Sequence, residues 1–234
     1  MKKNKKIIIS FLLTAIFCMN IILPNVSALA YEYSDVIYIS SAEDLISLAK
    51  KCSIDTWSRG KTVILDNDID LTGTSFTSIP IFSGTFDGQG HTISGLSMTG
   101  YNSPQGLFRY IQEGALVKNL TVKGTVTPIG KKSIIGGIAG SNSGTILNCI
   151  FIGTIIGNKY IGGIAGVNEA KGLISNSSAH GIVNGNHYVG GIAGENLGTI
   201  LLSTNEANVN ITVTENSLIK DIQNIDTDSF ISFS

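Results

Sequence analysis

The sequence predicts an all-β protein built as a single-stranded parallel β-helix with a short N-terminal capping helix. Three observations carry this. The pentapeptide GGIAG recurs at 136–140, 162–166 and 190–194, spaced by 26 and then 28 residues, and near-identical copies at near-constant spacing mark stacked structural units. Each copy continues alike, as GGIAGSNSGTILNC, GGIAGVNEAKGLISNS and GGIAGENLGTILLS. Between copies, GTIIGNKYIGG (153–163) and GIVNGNHYVGG (181–191) repeat a second strand pattern. Units of this length without helical periodicity exclude helical and leucine-rich repeats, and a propeller blade needs about 40 residues.

Before the fold begins, residues 1–30 read as an export signal. Lys2, Lys3, Lys5 and Lys6 precede an apolar run from Ile7 to Leu23, and ALA at 28–30 offers a cleavage point. Asn20 and Pro24 interrupt a run already short for a span, so no membrane span is expected after cleavage near Tyr31. Phe17 before Cys18 argues against a lipid anchor. Cleavage leaves 12 basic against 17 acidic residues, a net charge of −5. With 14% charged residues and no basic cluster, a nucleic-acid partner is not expected. Cys52 and Cys149 offer neither a disulfide framework nor a paired-cysteine metal spacing; a single bridge between them stays open beside two free thiols.

Residues 31–61 form the expected N-terminal cap. In SSAEDLISLAKKC, Ser41 and Asp44 make a capping pattern and Leu45, Leu48 and Ala49 share one helical face. The β-helix is expected over 62–211. It opens with KTVILDNDIDL, in which Val63, Leu65, Ile69 and Leu71 face inward and Asp66, Asp68 and Asp70 outward along one half-buried strand. GLFRYIQEGALVKNLTVKG at 106–124 reads as a fainter early copy, and regular repeats span about 136–161, 162–189 and 190–211. Residues 212–234 read as a tail, as a terminal cap, or as the start of a further coil.

Within a stack, equivalent side chains sit about 4.8 Å apart. Ile138, Ile164 and Ile192 are therefore expected to form one inner column and Ile146, Ile174 and Ile200 another. The glycines Gly136, Gly137, Gly140, Gly162, Gly163, Gly166, Gly190, Gly191 and Gly194 are expected where φ must be positive or where coils crowd. Asn142, Asn168 and Asn196, with Asn148 and Asn176, are expected at left-handed corners with amides bonded along the stack; Leu202 breaks the second series, so the last coil should be less regular.

The three GGIAG units resemble the GLUG-motif repeats of exported bacterial surface proteins, and FSGTFDGQGHTISGL (82–96) with GLF (106–108) resembles the first coils of such regions. The resemblance runs from about Ser40 to Asn210. It implies a single-stranded right-handed parallel β-helix, secreted or at the cell surface. It implies no reaction, because such repeats occur in adhesin-like proteins and in non-catalytic regions of immunoglobulin A-specific zinc metallopeptidases. The sequence shows no sortase-type LPxTG and no hydrophobic tail.

Candidate chemistry is sparse. His91, His180 and His187 are the only histidines and none stands in a His-Glu-x-x-His frame, so a peptidase activity of this chain is not expected. Asp66, Asp68 and Asp70 could offer a weak surface calcium site, with Leu71 and Thr77 breaking the EF-hand pattern; no other cofactor is expected. GGIAG lacks the Lys-Ser/Thr of a phosphate loop. The expected role is non-enzymatic: adhesion or display, toward a protein or glycan of a host or neighbouring cell. Tyr101 and Tyr110 are candidate contacts, and Tyr160 and Tyr188, at the same repeat position, a candidate stacked strip. Two other readings stay open: a polysaccharide lyase or hydrolase, needing acids and a base converging in a groove, and an accessory region of a surface metallopeptidase.

Overall fold

The computed structural model describes residues 35–130 and 132–210. The expected signal peptide and the segment 212–234 lie outside the described residues. What is described is a parallel β-solenoid of about six turns, with nineteen strands and one helix among the described residues.

The first strand, β1 (Val36–Ile39), leads into helix α1 (Ala42–Lys51). The Ser41 hydroxyl caps the helix by accepting from the Asp44 amide at 3.2 Å. Leu45, Leu48 and Ala49 are its buried residues, the face expected from the spacing. Strand β1 itself pairs with the next coil, Ile37 opposite Val63. The region expected to be only a cap thus already contributes the first row of the stack.

Successive coils then add strands to two sheets, and the last three coils to a third as well. The largest holds β1, β2 (Thr62–Leu65), β3 (Ile69–Asp70), β5 (Thr85–Asp87), β6 (Thr92–Met98), β8 (Leu116–Val126), β11 (Thr145–Ile156), β14 (Leu173–Ser175), β15 (Ser178–Asn184), β18 (Thr199–Leu201) and β19 (Thr204–Val209). A second sheet stacks β4 (Ile79–Phe82), β7 (Phe108–Ile111), β10 (Ala139–Asn142), β13 (Ala165–Asn168) and β17 (Ala193–Asn196). The third holds β9 (Ser133–Gly136), β12 (Lys159–Gly162) and β16 (His187–Gly190). All pairings between these strands are parallel, with equivalent residues in register as a solenoid requires, except for a shift between Ile93 and Leu96 where β6 pairs with β8.

The inner columns follow from that register. Ile37, Val63, Phe86, Val117, Ile146, Ile174 and Ile200 stand one above another. Ile138 and Ile164 are fully buried and backbone-bonded in series with Ile192. Phe82, Phe86 and Phe108 pack with centroids 5.3 to 6.1 Å apart, Phe86 edge-on to the other two and Phe82 tilted against Phe108, and fill the core of the early coils. Cys52 and Cys149 are free, fully buried thiols rather than a bridge.

Two expectations need correction. The stretch KTVILDNDIDL is not one strand: it breaks between Leu65 and Ile69, and Asp66 and Asp68 lie at the corner between β2 and β3. The inward set is nonetheless as expected, with Val63, Leu65, Ile69 and Leu71 all buried. Of the two roles expected for the GGIAG glycines, left-handed backbone is not found, for none of them has a positive φ, while crowding between coils is. A Cβ on Gly163 would lie 2.1 Å from the Gly191 carbonyl oxygen and 2.3 Å from the Ala179 Cβ, and one on Gly166 would lie 2.5 Å from the Ile135 nitrogen. Backbone of one sheet therefore rests directly on backbone of the next.

Candidate functional site

Strands β12 and β16 position the candidate contact residues. Lys159 pairs with His187 and Ile161 with Val189, which places Tyr160 directly under Tyr188. Their rings stack, centroids 5.0 Å apart and planes 20° from parallel. The Lys159 ammonium lies 4.4 Å from the Tyr160 centroid and 5.2 Å from that of Tyr188, within cation–π range of both. Hydrogen bonding with the Tyr160 side chain holds the Lys159 pKa above its ordinary value. Tyr188 is 59% exposed, while Tyr160 and Tyr110 are half-buried. Tyr101 stands apart on the loop after β6, beneath Lys132.

One property of this strip was not legible from sequence. Ile134, Tyr160 and Tyr188 occupy the same place in three coils with φ of +63°, +58° and +52°. Bulky residues are rare in left-handed backbone, and a β-branched one there is an outlier. Such a conformation costs roughly 1–3 kcal/mol per residue. Asn or Gly would fit the corner with less strain.

The asparagines divide into two ladders with different jobs. Asn142, Asn168 and Asn196 are in ordinary strand geometry, not at left-handed corners. Asn142 and Asn168 are fully buried. The Asn142 Nδ2 donates to Asn168 Oδ1 at 2.8 Å, and the Asn168 Nδ2 to Asn196 Oδ1 at 2.7 Å. The left-handed corners belong instead to Asn119, Asn148 and Asn176, with Leu202 in the last coil. Asn148 Nδ2 donates to Asn119 Oδ1 at 2.9 Å. Leu202, 83% exposed, interrupts that series as expected.

The three carboxylates considered for calcium are not brought together as a site. Asp68 Oδ1 accepts from the Thr92 amide at 2.8 Å and contacts His91 Nδ1 at 3.1 Å, bonds that hold its pKa below the usual carboxylate value. Asp70 Oδ1 accepts from the Thr72 amide at 2.9 Å, and hydrogen bonding from the Thr72 side chain and then its amide lowers the Asp70 pKa as well. Asp66 accepts from the Ser40 hydroxyl at 3.4 Å. Among the described residues no group of three or more His, Cys, Asp or Glu side chains is placed to hold a metal ion. The histidines are likewise dispersed. His91 faces Asp68, His180 lies between Ser178 and Glu206, and His187 is exposed at the start of β16.

Acid and base do converge at one place. An open cleft of about 470 Å³ is lined by Asp55, Arg59, Ser83, Gln112 and Glu113. These residues lie after α1, around β4 and in the turn after β7, where no sequence spacing singled them out.

Residues 157–184 match the family model of the GLUG motif. The GLUG segment is one complete turn, from before β12 to the end of β15, and carries Tyr160, Asn168 and His180. The chain is also 34% identical over 99 residues to halomucin of Haloquadratum walsbyi, an alignment spanning 42% of this chain and 1% of that protein. Its fold is similar to a solved structure from Bacteroides ovatus, provisionally named an immunoglobulin A1 protease. That match has a TM-score of 0.55, 21% identity, and covers 74% of this chain and 66% of the other. At that identity the likeness concerns the fold. Among the described residues no helix is long and apolar enough to cross a membrane.

Proposed function

We propose that this chain is an exported, non-enzymatic GLUG repeat domain that binds a protein or glycan of a host or neighbouring cell along the flank formed by β9, β12 and β16. The observation that carries the reading is the strained tyrosine pair. Tyr160 and Tyr188 keep large aromatic side chains at left-handed positions that smaller residues would occupy at lower cost. Strain retained at an exposed site is explained by what the side chains do there. The stacked rings and Lys159 form a compact unit that combines apolar area, two hydroxyls and one positive charge, and tyrosine is among the residues enriched at interface hot spots.

The test is a binding screen of the secreted protein against host matrix proteins and a glycan array, with and without calcium, repeated with Tyr160→Ala/Tyr188→Ala. Saturable binding that the double variant loses while melting unchanged supports the reading. Binding that survives the double substitution removes the tyrosines from it, and lost cooperative melting assigns them a structural role instead. A second reading, a polysaccharide lyase or hydrolase, draws on the cleft between Asp55, Arg59 and Glu113. It requires turnover of an acidic polysaccharide that Arg59→Ala abolishes.

A further inference from the structure

The outer face of the large sheet is apolar in its middle rows and polar in the rows on either side. There β8, β11, β15 and β19 lie side by side in register, so Lys123, Ile152, His180 and Glu206 form one outward column and Thr125, Thr154, Ile182 and Asn208 the next. Their chain neighbours Val122, Phe151, Ala179 and Ala207 are buried, as strand alternation requires. In the two middle rows Ile152, Ile156 and Ile182 are 39%, 45% and 42% exposed and cluster around Thr154. The outer rows hold Lys123, Thr125, Glu206 and Asn208 at equivalent places. An apolar centre within a polar rim is the anatomy of an interface, whereas isolated apolar residues are ordinary on a solvated face. Opposite charges also stand at the two ends of one column. Lys123 is exposed. Glu206 gives one carboxylate oxygen to His180 at 3.3 Å and, with its side chain 64% exposed, keeps the other for a second partner.

We propose that this face is the contact between two copies of the chain, related by a two-fold axis that runs along the strands midway between β11 and β15. Such an axis keeps each residue's place along its strand and reverses the order of the rows. Lys123 then meets Glu206 of the second copy, Ile152 meets His180 and Thr154 meets Ile182, and each contact occurs twice, as in any isologous interface. The charges select this axis. A two-fold axis parallel to the stack would leave every row opposite itself, setting Lys123 level with Lys123 and Glu206 with Glu206, which repel. Other occupants fit less well. The two columns offer no tyrosine or tryptophan on which a sugar ring could stack, and one lysine where an anionic membrane surface wants several. Four rows about 4.8 Å apart and about seven residues long bury roughly 900 Å² in all, under the ~1,200–2,000 Å² of stable complexes, so the dimer is a reversible one. The tyrosine flank belongs to a different sheet, and the dimer presents it twice.

The test is sedimentation equilibrium of the full protein over a concentration series, alongside three variants: Ile152→Thr/Ile182→Thr, Lys123→Glu, and the charge exchange Lys123→Glu/Glu206→Lys. All four positions are exposed and threonine suits an exposed strand, so each variant should melt as the unsubstituted protein does. The unsubstituted protein should dimerise with a Kd between about 10 µM and about 1 mM. The threonine pair should weaken the dimer at least about tenfold and Lys123→Glu about tenfold, while the charge exchange should restore it to within about threefold. A protein that stays monomeric up to about 1 mM overturns the proposal. So does a dimer that the threonine pair leaves intact, which would place the contact on another face. A charge exchange that associates no better than Lys123→Glu removes the two-fold arrangement, and the proposal with it.

Discussion

Replacing Asn168 by Ala removes the centre of the buried asparagine ladder, and the structure sets the size of the effect. Its Oδ1 accepts from Asn142 at 2.8 Å; its Nδ2 donates to Asn196 Oδ1 at 2.7 Å and lies 3.3 Å from the carbonyls of Gly172 and Thr199. The site is closed to water. Each such bond contributes about 1 kcal/mol net, and a buried partner left unpaired costs about 1–3 kcal/mol. The sum is about 3–4 kcal/mol, a fall of roughly 6–15 °C in Tm for a domain of this size. Asn142→Ala should cost about half as much, since its Oδ1 already lacks a partner. Asn196→Ala, on an exposed residue that accepts one ladder bond, should cost under about 1 kcal/mol. Circular dichroism melts of the three variants under one condition decide the matter. Equal losses for Asn168 and Asn196, or losses under 0.5 kcal/mol for all three (roughly the noise of surface substitutions), would refute the ladder as a stabilising element.

Three further outcomes follow from the same geometry. Gly163→Ala should destabilise by about 2–3 kcal/mol in urea unfolding because its new methyl has no room, whereas Gly100→Ala, whose nearest neighbour would be 3.8 Å away, should stay within about 0.5 kcal/mol. Burial raises the Cys149 thiol to about 12 and the Cys52 thiol to about 11, so neither should react with a thiol reagent at pH 8 until the protein is unfolded. For Asp87, burial opposes ionisation, but the Gln89 amide, Lys118 and Asn119 outweigh it and hold the pKa below the ordinary 3.8. A depressed folded pKa gives stability that is present above the unfolded value and lost as pH falls through the folded one; Asp87→Asn should flatten the acid limb of the melting curve below about pH 4.

What the sequence disclosed, and what it hid, divides along physical lines. Leu45, Leu48 and Ala49 were legible because helical spacing is local. The columns through Ile146, Ile174 and Ile200 were legible because identical letters recur in register. The same column below them holds Val117, Phe86 and Val63, residues of differing size within unlike flanking sequence, so no repeated word marks it. Residue type misled at two points. Glycine suggested both left-handed turns and crowding in GGIAG, and only the crowding is found; asparagine suggested corners at Asn142 and Asn168, which instead face inward, though the amide bonds expected along the stack are there. At Ile134, Tyr160 and Tyr188 the backbone adopts what their side chains disfavour, so repeat position disclosed the tyrosine strip while propensity gave no sign of its left-handed backbone. The cleft at Asp55, Arg59 and Glu113 joins segments distant in sequence, and only folding assembles it.

Because glycine contacts in the repeat recur between equivalent atoms of successive coils, as in Gly136 against Ala165 and Gly166 and Gly162 against Ala193 and Gly194, the surface that receives a coil is much the same surface that the coil then presents. Copy number is thereby uncoupled from core design: a slip in replication that duplicates or deletes one 26- or 28-residue unit needs no compensating substitution inside. Such a lineage can tune how far its terminal features stand apart by counting units, in steps of about 4.8 Å, while each tyrosine added at the position of Tyr160 would lengthen the aromatic strip by one ring.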